Sequence, residues 1–315
     1  KWLKDLASFR KKEFDLKWQI HDADNTDSEH LRRRRVRDAD GMMTHAGAHH
    51  IEHLAQLFGF DDTTKAKPTP LPSNTVTTFE GDLLDAGDVS TFRRGVGILL
   101  YVVGDRPDVQ FPTQLLAQRF SSPTAPALPG LKHLTRYLIG MKDKYFYFPR
   151  GDGKVHELTA TSDSNWANDG DTRRSTGCGV ISAAGCCLFT FVRRQAVVSL
   201  SSAEAEFYAC VTTVSEGIAI RRLLGHAGLG RKTDGGYDLT LQARLDSSAA
   251  RAVVNRQGVG RNWHLEARVL WIRDRVDAKE LLVSGVPGAD SKADIGTKLL
   301  PATRLEYLSD KMNFG

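Results

Sequence analysis

The stretch that decides the fold runs from Thr159 to Glu206 and reads TATSDSNWANDGDTRRSTGCGVISAAGCCLFTFVRRQAVVSLSSAEAE. Its opening run predicts a strand that ends near Asp163. The runs GCGVISAA and CCLFTFV predict two further strands in a meander. The segment SSAEAE predicts the start of a long helix, with Ser201 and Glu204 forming a capping box. Three strands followed by a helix indicate an α/β unit.

The segments after this stretch continue the alternation of strands and helices. LTLQARLD predicts a strand, SSAARAVVN and HLEARVLWIRDRV predict helices, AKELLVSGV predicts a strand, and DSKADIGTKLL predicts a final helix. The order βββαβααβα predicts a mixed sheet with helices packed over it. Upstream, YFYF is a further candidate strand, and the Gly-Asp-Gly turn at 151–153 separates it from HELTATSD.

Four acids lie at the ends of these elements: Asp163, Glu206, Asp246 and Asp294. If the strands that end at Asp163 and Asp246 are parallel neighbours, both carboxylates emerge at the same sheet edge, where α/β sheets bind ligands. Phosphodiester hydrolysis by two divalent ions needs several converging carboxylates, and magnesium prefers carboxylate and water oxygens. Taken singly, each acid also fits a strand end, a helix cap or a solvated helix position. As a set in this element order they predict a two-metal nuclease site, and we assign Glu204 to the helix cap.

Composition places the chain among globular proteins. Its 315 residues predict about two domains, and the apolar and charged fractions are 41% and 26%. A formal net charge of +5 is compatible with a polyanionic partner. The four cysteines match no zinc or disulfide spacing, which favours a reduced, intracellular protein. We expect no membrane span, because the most apolar run, Val96 to Val103, is far shorter than the ~20 residues needed. The absence of an initiator Met suggests a fragment of a longer product.

The first sixty residues offer two ambiguous signals. Arg32–Arg37, RRRRVR, is a solvated strand or loop face, a phosphate-contacting patch or a nuclear localisation signal. His45, His49 and His53 share one face of a predicted helix, but no second ligand cluster accompanies them, and a polar helix face explains them better. Lys1 to Trp18 is compatible with an amphipathic helix.

The middle of the chain shows no chemistry. KAKPTPLPS, from Lys65 to Ser73, predicts an extended linker. Three apolar-periodic segments then predict helices at Arg94–Val103, Val109–Phe120 and Leu128–Gly140. Composition allows only a packing or nucleic-acid-cradling module here.

The motifs DSNWANDGDTRRSTGCGV, RRQAVVSLSSAEAEFYA, LDSSAA and KADIGTK, in that order, closely resemble the ribonuclease H domain of copia-type LTR-retrotransposon polyproteins. FRRGVGILLYVVGDRPDVQF and LKHLTRYLIG resemble the segment that links reverse transcriptase to ribonuclease H in those polyproteins. DGMMTHAGAHHIEHLAQLFGF with PTPLP resembles the end of their reverse transcriptase region. The resemblance covers nearly the whole chain from about Asp40.

The resemblance implies a ribonuclease H-like fold, a mixed five-stranded sheet with helices, preceded by a mainly helical thumb- or connection-like region. It implies three parts: residues 1–72 as the end of the reverse transcriptase region, 73–143 as a helical connection, and 144–315 as the ribonuclease H-like domain. The implied activity is endonucleolytic cleavage of the RNA strand of RNA–DNA hybrids with two Mg²⁺ ions, or Mn²⁺ as a substitute. The implied metal ligands and catalytic residues are Asp163, Glu206, Asp246 and Asp294.

The implied partners are the RNA–DNA hybrid and the remainder of the polyprotein, in a cytoplasmic virus-like particle or the nucleus. Arg173, Arg174, Arg193 and Arg194 are candidate phosphate contacts or solvated loop charges. The hybrid would be recognised through shape, phosphates and 2′-hydroxyls.

This sequence departs from the family pattern at several positions. Asn165 stands where the family commonly has a second acid, and Ser247 stands where Asn usually follows the acid at 246. We find no Asp-Asp hairpin of a polymerase, so we expect no polymerisation. The departures leave open a decayed or repurposed copy that only binds nucleic acid. An integrase or resolvase of the same fold is disfavoured by the Thr-Lys motif at 297–298 and by the upstream linking region.

Overall fold

The computed structural model of the chain describes residues 26–61, 63–151, 155–229, 239–255 and 266–315. The helix expected over Lys1–Trp18 lies outside the described residues, as does most of the turn at 151–153. The described part contains two sheets joined by a helical region.

The first sheet is antiparallel and has four strands in the order β1-β2-β3-β4. Its strands are β1 Asp27–His30, β2 Arg33–Arg37, β3 Gly41–His45 and β4 Tyr145–Pro149. Most of the basic run Arg32–Arg37 therefore lies in a strand, which agrees with its interpretation as a strand face. The YFYF strand pairs with Gly41–His45, and thus belongs to this sheet although about a hundred residues separate the two strands.

Four helices lie between β3 and β4: α1 Ala48–Leu57, α2 Ala86–Val102, α3 Pro107–Gln118 and α4 Ala127–Gly140. Pro107 occupies the start of α3, where a missing backbone N–H costs nothing. The apolar faces of all four helices meet in one core, with Leu54, Leu99, Leu115 and Leu131 fully buried. The predicted helices in this region are confirmed.

The second sheet has five strands in the order β7-β6-β5-β8-β9. Its strands are β5 Glu157–Asn165, β6 Thr176–Ala183, β7 Cys186–Arg194, β8 Thr240–Leu245 and β9 Leu281–Gly285. The pairs β5–β6 and β6–β7 are antiparallel, whereas β5–β8 and β8–β9 are parallel. This is the mixed five-stranded sheet of a ribonuclease H-like fold, and the predicted fold class is confirmed.

Helices cover both faces of this sheet. The helix α5 Ser202–His226 packs on β5 and β6, and α6 Ser248–Asn255 and α7 Glu266–Asp277 complete that face around Leu158, Phe207 and Leu241. On the other face, Cys178 and Val180 join the core of α1–α4. The helical region and the sheet therefore share one continuous core. None of the described helices is both long and apolar enough to cross a membrane.

The chain end differs from the prediction. DSKADIGTKLL begins at the last residue of a 3-10 helix, Gly288–Asp290, and contains a second one, Lys292–Gly296. The final α-helix, α8, is Ala302–Asp310. The prediction of one helix over this segment was therefore wrong. Gly296 approaches β6 so closely that a Cβ there would meet the Cys178 side chain, so backbone packing against the sheet shapes this turn.

Candidate active site

Two of the predicted acids lie at the same sheet edge. Asp163 is near the end of β5, and Asp246 follows directly after β8. The two strands are parallel neighbours in a register that pairs Ser162 with Leu245, one residue before each acid. The strands that lead to Asp163 and Asp246 are therefore parallel neighbours, which is the arrangement that a shared site requires.

The third acid comes from the helix that crosses the sheet. Ser201 accepts a hydrogen bond from the backbone N–H of Glu204 (3.2 Å), which fixes the start of α5. Glu206, one turn further along, is buried against the sheet. One carboxylate oxygen from each of Asp163, Glu206 and Asp246 lies within 4.8 Å of the others. Among the described residues this is the one group of three or more side chains that is arranged to hold a metal ion.

The same-sign charges in this cluster are poorly compensated. Burial and, next in size, the neighbouring carboxylate of Asp163 together raise the pKa of Glu206 to about 8, against the opposing effect of hydrogen bonds from Ser164. The backbone N–H and the hydroxyl of Ser164 both donate to Glu206 Oε1, at 3.1 and 3.0 Å. Oε2 of Glu206 is buried and has no hydrogen-bond partner within the described structure. A buried acceptor without a partner costs free energy, so this oxygen is a candidate metal ligand.

Asp163 has more support. Burial raises its pKa, while a hydrogen bond from the Thr297 hydroxyl to Oδ2 and the charge of Lys298 lower it. The residue is 3% exposed. Three converging carboxylates, one with an unpaired oxygen, fit the donor set that a hard divalent cation requires. The residues present therefore fit a metal ion at Asp163, Glu206 and Asp246.

The fourth acid, Asp294, is placed differently. It lies in the 3-10 helix Lys292–Gly296, not in the first turns of the last helix, because the final helix begins only at Ala302. Asp294 is 6% exposed, and both of its oxygens are engaged by cations. Lys298 Nζ is 2.5 Å from Oδ1, and Arg304 Nη2 is 3.3 Å from Oδ2. The structure thus brings three of the acids together and holds the fourth in ion pairs beside them.

Two further side chains connect Asp294 to the cluster, and sequence reasoning missed both. Thr297 donates its hydroxyl to Asp163, and the Lys298 ammonium lies 3.8 Å from the same carboxylate. Burial lowers the pKa of Lys298, but the hydrogen bond to Asp294 and the charge of Asp163 outweigh it and raise that pKa. The sequence signal that could have identified these two residues is the Thr-Lys pair of the motif KADIGTK, to which the sequence alone assigns no role at the site.

Asn165 and Glu204, the two other polar positions of the opening stretch, have structural contacts. The amide of Asn165 donates to the Thr297 carbonyl at 3.0 Å, which ties β5 to the chain end. Glu204 accepts from the backbone N–H of Leu200 at 2.8 Å, so it acts in the helix cap as assigned. An amide at 165 can make this donation, whereas a carboxylate cannot.

The four candidate phosphate-contacting arginines fall into two pairs. Arg193 lies 2.7 Å from Glu216 and Arg194 lies 2.8 Å from Asp169, so both guanidinium groups have carboxylate partners. Arg173 and Arg174 lie in the β5–β6 connection, and neither has an ion-pair partner within the described ranges. Their contact with phosphate remains a prediction.

The fold and the cluster together define the chain as a ribonuclease H-like α/β protein with a carboxylate site at the edge of its sheet. No protein-family model matches the chain. The retrovirus-related Pol polyprotein from transposon RE1 of Arabidopsis thaliana is 29% identical over 266 residues, 82% of this chain and 17% of that protein. The corresponding polyprotein from transposon TNT 1-94 of Nicotiana tabacum is 28% identical over 70% of this chain and 16% of that protein.

The chain is similar to the retrovirus-related Pol polyproteins of plant transposons, as the resemblance of its motifs implied, and it spans about a sixth of their length. A shorter relative carries a different description. The secreted RxLR effector protein 161 of Plasmopara viticola is 32% identical over 124 residues, 39% of this chain and 86% of that protein.

Solved structures similar to the chain include two ribonucleases H. The N-terminal ribonuclease H domain of Rv2228c from Mycobacterium tuberculosis aligns with a TM-score of 0.33 and 10% identity, over 49% of this chain and 96% of that chain. LC11 ribonuclease H1 in complex with an RNA/DNA hybrid aligns with a TM-score of 0.32 and 16% identity, over 44% and 92%. At these TM-scores the strand order and pairing, and not the similarity, define the fold.

Proposed function

We propose that this chain is a divalent-metal-dependent ribonuclease that hydrolyses the RNA strand of RNA–DNA hybrids. The observation that carries the proposal is the convergence of Asp163, Glu206 and Asp246 within 4.8 Å at the carboxyl end of two parallel strands. The resemblance of the motifs to a ribonuclease H domain supports the hybrid as substrate, and the similarity to Pol polyproteins supports a longer polyprotein as the working context. The polymerase motif is absent from this sequence, so the proposal assigns it no polymerase activity.

The three clustered acids would hold Mg²⁺, with Mn²⁺ as a substitute, and Asp294 would join them when a second ion binds. When bound, such ions acidify the attacking water and neutralise charge on the phosphate. The chain's own groups then have distinct roles. Thr297 fixes the Asp163 carboxylate through its hydroxyl, and Ser164 fixes one oxygen of Glu206, so the other oxygen would be the one to bind an ion.

The basic side chains near the sheet edge would position the sugar-phosphate backbone. Arg173 and Arg174 are the better candidates, because Arg193 and Arg194 must first exchange a carboxylate for a phosphate. Contacts of this kind recognise phosphates without reading bases.

The test is cleavage of a labelled RNA–DNA hybrid with Mg²⁺. We expect wild-type protein to cut the RNA strand, to spare duplex DNA and to lose activity in EDTA. Asp163→Asn should reduce the rate by about a thousandfold, since metal ions supply several kcal/mol of transition-state stabilisation. The matched control is Asp290→Asn, which removes an acid from the neighbouring 3-10 helix outside the cluster. Wild-type activity in Asp163→Asn would refute the assignment.

A second candidate function is binding of nucleic acid without cleavage. The double ion pairing of Asp294 favours it, because an acid held by Lys298 and Arg304 is not free to bind metal. This candidate predicts hybrid binding that weakens steeply with salt and no cleavage with any divalent ion.

A further inference from the structure

The ammonium of Lys298 lies between two acids of the site. It is 2.5 Å from Asp294 Oδ1 and 3.8 Å from Asp163 Oδ2. Asp163 is also a member of the three-acid cluster, so a protein cation sits at the border of the proposed metal site. A carboxylate that pairs with an ammonium gives up part of its capacity to bind a second cation.

The two cations on Asp294 are held differently. Arg304 also donates to the backbone carbonyls of Ala289 at 2.5 Å and Gly288 at 3.2 Å, which anchors its guanidinium to the chain. The Lys298 side chain is 51% exposed, whereas that of Arg304 is 26% exposed. Lys298 can therefore swing into solvent without breaking backbone contacts, and Arg304 cannot.

On the other side of the cluster, at Glu206 and Asp246, no described residue places a cation in an ion pair. Glu206 Oε2 is buried with no hydrogen-bond partner in the described residues, and the protein groups that contact Oε1 are uncharged. A first divalent ion is thus drawn to Asp163, Glu206 and Asp246, where negative charge is least compensated.

We propose that Lys298 is a built-in cation of the site, which neutralises the Asp163–Asp294 side and must be displaced before a second divalent ion binds there. The inference rests on the proposed function, in which the acids hold divalent ions. The two sides of the site would then bind a divalent ion with different affinities. The first ion binds the cluster of Asp163, Glu206 and Asp246, whereas the second competes with the ammonium of Lys298 for Asp294. Lys298 is thereby a positioning residue that sets the concentration of divalent ion at which the second ion binds.

The experiment is a Mn²⁺ titration of the whole chain, with free Mn²⁺ followed by electron paramagnetic resonance. Lys298→Met removes the charge, and Lys298→Arg retains it. The matched control is Lys311→Met, since Lys311 pairs with Asp290 at 3.3 Å and is 46% exposed, close to the exposure of Lys298. Thermal unfolding in EDTA and in Mn²⁺ gives a second readout for each variant.

We expect wild type to bind one ion tightly and a second more weakly. Lys298→Met should tighten the second ion by about tenfold and leave the first nearly unchanged, because removal of the ammonium abolishes its competition. Lys298→Arg and Lys311→Met should bind both ions as wild type does. In EDTA, Lys298→Met should unfold at a lower temperature than wild type, and Mn²⁺ should stabilise it by a larger increment.

The outcomes separate the two proposals. Two ions bound by wild type, with an unchanged or weaker second affinity in Lys298→Met, would overturn the role of Lys298 and leave the metal site intact. No Mn²⁺ bound by wild type would overturn both. If Lys298→Arg binds the second ion as tightly as Lys298→Met, the positive charge is not the cause, and the inference is refuted.

Discussion

Two buried charged clusters in this molecule have opposite electrostatic designs. In the helical region, the fully buried Arg106 contacts Asp108 through two hydrogen bonds of 2.9 and 2.7 Å. The Tyr137 hydroxyl donates to the same carboxylate at 2.7 Å, and the remaining guanidinium nitrogen donates to the Met141 carbonyl. Burial alone would raise the pKa of Asp108, but Arg106 outweighs it and holds that pKa below its usual value.

At the sheet edge, Asp163, Glu206 and Asp246 face one another, and the pKa values of Asp163 and Glu206 are raised. The helical cluster satisfies its charges internally, so it fixes structure. In the acid cluster, negative charge and one carboxylate oxygen have no partner among the residues that the structure describes. A buried charged group that lacks an opposite charge or a hydrogen-bond partner in the described structure is thus a candidate binding site, whereas a buried ion pair such as Arg106–Asp108 is structural.

The variant with the largest expected effect on stability breaks the Arg106–Asp108 ion pair of the helical cluster. Arg106→Met leaves the buried Asp108 without its partner, and we expect it to lower the free energy of unfolding by about 3–5 kcal/mol. Urea denaturation measures this. The double variant Arg106→Met, Asp108→Leu should recover part of the loss, because no lone charge remains. A loss below about 1 kcal/mol in the single variant would show that this cluster does not fix the structure.

The next effect is stabilisation of the acid cluster by metal. At a hundredfold excess over its dissociation constant, a divalent ion should raise the free energy of unfolding of wild type by about 2.7 kcal/mol. Glu206→Gln removes one of the three clustered carboxylates and should lose most of that increment, whereas Asp290→Asn should keep it. Equal stabilisation of wild type and Glu206→Gln by Mg²⁺ would place the binding site elsewhere.

The pH dependence of the metal-free protein sharpens the contrast. The pKa of Glu206 is about 8 in the fold against an ordinary 4.5, so between these values the folded state holds a proton that the unfolded state has lost. Stability from this group is therefore present at low pH and lost as pH rises through that window. In EDTA, Glu206→Gln should gain stability relative to wild type by about 3 kcal/mol from pH 5 to pH 8. A difference that stays constant with pH would contradict the raised pKa.

The smallest effect concerns Asn165. Asn165→Asp restores the acid that the family commonly carries, but it removes the amide donor to the Thr297 carbonyl. We expect a loss of about 1 kcal/mol in unfolding free energy, measured in EDTA. Unchanged or increased stability would show that this hydrogen bond does not hold the chain end against β5.

The strand and helix order of the second sheet could be predicted because each element has a local signature. Alternating apolar runs indicate the strands, and the capping box at Ser201 and Glu204 indicates the start of α5. Once β5 and β8 are parallel neighbours, the meeting of Asp163 and Asp246 follows from strand geometry. The positions of the four acids at the ends of the elements indicated the choice, and the resemblance to the retrotransposon family pointed to the same four residues.

The remaining features depend on contacts between distant residues. The pairing of Gly41–His45 with Tyr145–Pro149 joins segments about a hundred residues apart, and no local pattern specifies it. The 3-10 turn around Asp294 follows from the close approach of Gly296 to Cys178, which the helical pattern of the sequence conceals. The ion pairs of Lys298 depend on where the folded chain places its side chain.

The most direct test of the central claim is a crystal structure of the chain grown with Mn²⁺ and analysed by anomalous scattering. We expect an anomalous peak coordinated by Asp163, Glu206 and Asp246, with one bond to Glu206 Oε2, which has no hydrogen-bond partner among the described residues. A second peak beside Asp294 should coincide with Lys298 turned into solvent. If no peak appears at the three acids under saturating Mn²⁺, the proposed metal site at Asp163, Glu206 and Asp246 is refuted.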